Sequence, residues 1–170
     1  MATLAGAIIA ALVAYRGYVR QRGHQQDVLL NALFGELANL YEHYWYVGAE
    51  LPAVGTPSSQ MQRRFQMSRY GTFRSLDDLT LFGFLTANDV RLLLQLSLRV
   101  RNNDLLFESL LAHLESITQS DLEYATARVA FTLRTLESLM GRLVEGRPAL
   151  GEILDAIRRD VPALKRPFAD

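Results

Sequence analysis

The first proline of this 170-residue chain is Pro52. Proline lacks the N–H that a helix needs and its ring clashes with the preceding turn, so a long stretch without it is free to be helical throughout. Within the stretch, Val28, Leu29, Ala32, Leu33, Leu37, Leu40, Tyr41, Tyr44 and Val47 recur at steps of three and four. That period belongs to a helix with one face against a partner. The spacing predicts a helix to residue 47, with Gly23 its softest point. A single rod starting near the N-terminus is allowed.

The start of the rod is chemically unlike the rest. Residues 2–15 read ATLAGAIIAALVAY, without charge, proline or amide. As a helix they cover about 21 Å, short of a hydrocarbon core of roughly 30 Å. Snorkelling by Arg16 lengthens the run through Gly17, Tyr18 and Val19. Three readings compete. A signal peptide wants positive charge before the run and small residues at a cleavage site, whereas here Arg16, Arg20 and Arg22 follow it. A core helix of a soluble bundle accounts for the short length but leaves the segment apolar on every face. A single-pass anchor accounts for the basic flank, and the positive-inside rule then puts the N-terminus outside and the body in the cytoplasm, at the cell membrane. Ala2, Gly6, Ala10 and Ala14 form a small-residue stripe of the kind that lets membrane helices approach closely.

Charge sharpens the division. The chain has 18 basic and 18 acidic residues, but the first 26 residues hold three arginines and no acid, leaving the remainder net acidic. A neutral chain with an acidic body argues against a nucleic-acid partner held by bulk attraction to phosphates. The absence of cysteine removes thiol nucleophiles, disulfides and zinc–thiolate sites.

The body reads as helices, with no strand alternation and no fixed-period repeat. Pro52, Gly55 and Pro57 punctuate a loop over 48–59, and a second helix is expected from about Gln60 to Arg74, with a short turn or helix over 76–84. Thr86 with Asp89 is a capping-box variant ahead of a leucine-dense helix expected over 90–117. Ser120 with Glu123 suggests a further box, opening a helix that ends at Gly146 and Pro148, before a last short helix over 149–159. The expected fold is all-α: an N-terminal transmembrane helix continuing into a cytoplasmic antiparallel bundle of three to four helices. The expected divisions are an anchor with its flank over 1–22, a juxtamembrane helix over 23–47, the loop over 48–59, the bundle over 60–147, and a C-terminal helix and tail over 148–170.

No catalytic constellation emerges. His24, His43 and His113 lack metal-ligand spacing, and no nucleophile elbow or phosphate-binding glycine loop is present. No enzyme activity, metal or cofactor is expected. Three segments remain candidates for interaction. If Val90, Leu93, Val100, Phe107, Leu111 and Leu114 form a buried seam, Ser97 and Asp104 complete it, so Arg99, Arg101, Asn103 and Asp104 read as a buried polar network, a solvated face or a ligand site. The aromatic run with Tyr41, Tyr44 and Trp45 reads as core packing or as a surface for a partner. Arg63, Arg64, Arg69 and Arg74 lie in an acid-free stretch that suits pairing with Glu36, Glu42 and Glu50, or contact with lipid or nucleic acid. The combined expectation is a membrane-anchored bundle for assembly, scaffolding or regulation, partnered by the bilayer and by copies of itself or another membrane protein. The alternative is a soluble bundle that binds an apolar ligand, with residues 1–19 as a core helix.

Overall fold

The structure is a computed structural model that describes the backbone of residues 2–71 and 83–160 and the side chains of residues 21–71 and 83–160. The described residues are helical, without strands: α1 (Ala2–Glu50), α2 (Ser58–Met67), α3 (Ala87–Ala112), a 3₁₀ turn (Leu114–Ser116), α4 (Gln119–Leu143) and α5 (Pro148–Asp160). Among them no helix is long and apolar enough to cross a membrane. The side chains on which the anchor expectation rests, including Ala2, Gly6, Ala10, Ala14, Arg16 and Arg20, lie outside the described residues. Arg22 lies within them and is exposed.

Helix α1 passes through Gly23 without a break. At 1.5 Å per residue its 49 residues measure about 74 Å. Among the described side chains its buried face begins at Leu30 and continues through Leu33, Phe34, Leu37, Leu40, Tyr41, Tyr44 and Val47, matching the expected period from Leu33 onward, whereas Val28 and Ala32 of the expected face are exposed and Leu29 is half-buried. None of the side chains from 21 to 29 is buried.

The other helices pack around that face as an up-and-down bundle. Helix α2 runs back along α1, since Arg64 meets Glu50 and Ser68 meets His43. Helix α3 runs antiparallel to α4, as shown by Asp89 with Arg142 and Asn103 with Thr132. Helix α4 packs chiefly on α1 and α3, and α5 lies against both α1 and α4. The core is a single cluster in which Leu37, Phe65, Leu96, Phe107, Val129 and Leu136 meet from four helices.

Helix ends follow local chemistry. The Thr86 side chain accepts from the Asp89 amide at 3.2 Å, and Asp89 Oδ1 accepts from Arg142 Nε at 2.6 Å. Although burial raises the proton affinity of the Asp89 carboxyl, the Thr86 and Arg142 bonds prevail and hold it below the ordinary carboxylate range. Helix α4 is capped differently from the expectation. Its N-cap is Thr118, paired reciprocally with Asp121, so Ser120 falls inside the first turn. Ile117 before the cap and Leu122 four residues after it both pack on the core, a hydrophobic staple that favours Thr118. Gly146, at φ +72°, ends the following turn, and Pro148 opens α5 where a missing N–H costs nothing.

Two further boundaries differ. Helix α2 ends at Met67 rather than continuing to Arg74, because Ser68 caps it with its backbone N–H and hydroxyl both donating to Arg64 O, and the chain then turns at Gly71, φ +84°. Helix α3 stops at Ala112 rather than 117, where His113 leaves helical geometry. Arg74 and most of the 76–84 segment lie outside the described residues.

Candidate functional site

The seam of α3 is offset from the expectation by one residue in every second layer. Leu93, Val100 and Phe107 are buried as expected, but they alternate with Asp89, Leu96, Asn103 and Leu110 rather than with Val90, Ser97, Asp104 and Leu111. The buried polar residue of the seam is therefore Asn103, only 1% exposed. Its Nδ2 donates to Thr132 Oγ1 at 2.9 Å and its Oδ1 accepts from Arg128 Nε at 3.1 Å. The Thr132 hydroxyl donates in turn to Arg128 O. The Tyr44 hydroxyl lies beside Asn103, buried and short of hydrogen-bond geometry.

Asp104 takes another role. Its two carboxylate oxygens accept from the backbone amides of Tyr70 and Gly71, each at 3.0 Å. The positive φ of Gly71 lets successive amides face one carboxylate, so Asp104 fastens the exit of α2 to α3. Arg101 is exposed and joins no network among the described residues, while Arg99 reaches toward α4. Of the four residues expected in a buried network, only Asn103 is buried.

The aromatic run divides in the same way. Tyr41 and Tyr44 are fully buried, which corrects their assignment to an interaction surface. Tyr41 donates to Glu137 Oε1 at 2.9 Å, and burial followed by that carboxylate pushes its hydroxyl well above the ordinary range. Trp45 is half-buried and edges onto Tyr46, which is 62% exposed.

What this segment does offer is a groove between the end of α1 and α2. It has a volume of about 750 Å³ and is lined by His43, Tyr46, Val47, Glu50, Gln60, Arg63, Arg64, Met67 and Ser68. Met67 is 67% exposed beside the exposed Tyr46, an apolar pair open to solvent. Arg64 donates to the Glu50 carbonyl at 3.0 Å and sits 3.7 Å from its carboxylate, the pairing the sequence suggested. Arg69 instead pairs with Glu108 on α3. Arg63 is exposed and has no ion-pair partner among the described residues. At the floor, His43 Nε2 donates to Ser68 O at 3.1 Å between the rings of Tyr44 and Tyr70. Burial lowers its proton affinity below the usual histidine value, against the opposing pull of the Ser68 carbonyl and Asp104.

The groove combines apolar surface with a free cation and holds no nucleophile–base pair. Among the described residues no group of three or more acids or histidines is placed to hold a metal ion. This chemistry suits contact with another molecule. Sequence reasoning located the arginines and the aromatic run but not the face that Tyr46, Val47 and Met67 share, which depends on how α2 returns along α1. Comparison of the chain with protein-family models, with curated proteins and with solved structures gave no match.

Proposed function

We propose that the chain is a single-pass membrane protein whose helical bundle serves assembly, scaffolding or regulation. The observation that carries this reading is the length of α1 ahead of Leu30. Twenty-eight helical residues precede Leu30, the first buried one among the described side chains, and they measure about 42 Å along the axis. At their far end lies the uncharged run of 2–15, followed by Arg16, Arg20 and Arg22. An anchor, a connecting stretch and a packed body in one rod give each part a role. The three arginines orient it with the N-terminus outside and the body in the cytoplasm. The stripe of Ala2, Gly6, Ala10 and Ala14 suits packing with another copy or another membrane helix.

The groove of α1 and α2 is then the surface for a protein partner. Tyr46 lies about 40 Å along the rod from Val19, out of reach of the same bilayer. The rival arrangement is a soluble bundle with residues 1–19 as a core helix.

Alkaline carbonate extraction of membranes from cells expressing the full chain tests the anchor. Retention in the pellet is expected, and release into the supernatant overturns it. Crosslinking of the wild type beside a Gly6→Leu, Ala10→Leu variant tests the stripe. A lower oligomer yield in the variant is expected, and an equal yield removes the stripe from the account.

A further inference from the structure

Arg99 and Arg128 cross the seam between α3 and α4 in opposite directions. Arg99 leaves α3 and lays its guanidinium 3.6 Å over the centroid of the Phe131 ring on α4. There its Nη1 is buried without a hydrogen-bond partner. Arg128 leaves α4 and donates from Nε to Asn103 on α3 at 3.1 Å, with its guanidinium 5.9 Å over the Tyr124 ring. Asn103 is one turn from Arg99, and Phe131 is about one turn from Arg128, so both guanidiniums stand at the same level of the seam.

Two like charges held together repel, and the repulsion is stronger where water is partly excluded. Burial and then the neighbouring Arg128 push the proton affinity of Arg99 down. Among the described residues neither arginine has a carboxylate partner. The pair is fixed by contacts that leave donors unused: Arg99 is held by stacking, with Nη1 covered and its other donors without a partner among the described residues, and Arg128 through Nε alone. Guanidinium donors left in this state match an oxyanion, most closely the planar carboxylate. On either side, Phe131 and Tyr124 are 52% and 54% exposed, large apolar faces beside the cations.

We infer that Arg99 and Arg128 form a carboxylate clamp that docks an acidic side chain of a partner protein, with Phe131 and Tyr124 covering the apolar residues next to it. A nucleic acid fits less well, because its backbone calls for a broad basic surface and the chain beyond residue 26 is net acidic. The clamp stands independently of the anchor and of the α1–α2 groove.

The test is fluorescence anisotropy of a fluorescein-labelled peptide carrying one glutamate between leucines, titrated with the full chain in dodecyl maltoside. Saturable binding is expected, weakened about tenfold by R99Q and about tenfold by glutamine in place of the peptide's glutamate. R99K, which keeps the charge but loses the planar fork, is expected to bind between wild type and R99Q. An unchanged thermal midpoint for R99K shows that any loss is local even if R99Q folds poorly. Absence of saturable binding, equal binding by wild type and R99K, or equal binding of the glutamine peptide overturns the clamp. So does tighter binding of a single-stranded oligonucleotide, or of inorganic phosphate, than of the glutamate peptide.

Discussion

Asn103 is the position where the bundle exchanges stability for definition, and its replacement can be worked through quantitatively. In Asn103→Ala the fold loses a neutral hydrogen bond to Thr132 and a charge-assisted one from Arg128, and gains a small cavity. A neutral bond contributes about 1 kcal/mol net, and a bond to a charged group about twice that in a dry site. Arg128 is only half-buried, so water recovers part of its loss. Adding the cavity, the expected cost is about 2–3 kcal/mol. Asn103→Leu loses the same two bonds but fills the seam between Val100 and Phe107, and burying a leucine side chain returns roughly 2 kcal/mol. The leucine variant is therefore expected within about 1 kcal/mol of wild type, and pairing it with Thr132→Val removes the hydroxyl left without its donor. Urea unfolding of the full chain followed by far-ultraviolet circular dichroism measures the order Leu above Ala. If Asn103→Leu is as destabilised as Asn103→Ala, position 103 is not an interchangeable seam site and the reasoning fails.

Two other expectations follow from single residues. His43 holds its proton less tightly when folded, so it contributes stability above its ordinary value of 6.5 that is lost as pH falls through the lower folded value. The thermal midpoint is expected to drop between about pH 7.5 and about pH 5.5 and to drop less in His43→Gln, whereas equal drops would show that His43 does not report the change. Gly35 sits exposed in mid-helix of α1 with nothing within 4 Å of an added Cβ. Gly35→Ala is expected to raise stability by about 0.5–1 kcal/mol in the same urea assay, and a loss would mean that α1 is not a regular helix at that turn.

The face of α1 was legible because its apolar positions are separated by polar ones, leaving one register. Helix α3 was not, because leucines at 92, 93, 94, 96 and 98 populate several faces at once, and only the neighbours α2 and α4 decide which of them is inside. That ambiguity moved the buried polar position from Asp104 to Asn103. At the start of α4 two boxes overlapped, Thr118 with Asp121 and Ser120 with Glu123. The apolar pair of Ile117 and Leu122 was the available signal that separated them. Long-range pairs such as Tyr41 with Glu137 or Arg69 with Glu108 depend on which helices become neighbours, and local spacing carries no trace of that. The same holds for the groove, whose lining comes from both sides of the α1–α2 loop.

The unbroken course of α1 has a mechanical consequence. One wall of the core and the N-terminal segment belong to the same rod, with no joint where the backbone yields first. Such a rod behaves as a lever pivoting on the stretch from Leu30 to Val47 that packs in the core. A tilt of about 5° where Leu30 enters the core swings the far end by about 4 Å, and the reverse leverage delivers displacement at the N-terminus to the packing around Tyr41 and Tyr44. The contacts that resist that torque are those of α4 above all, with α5 and α2 also seated against α1.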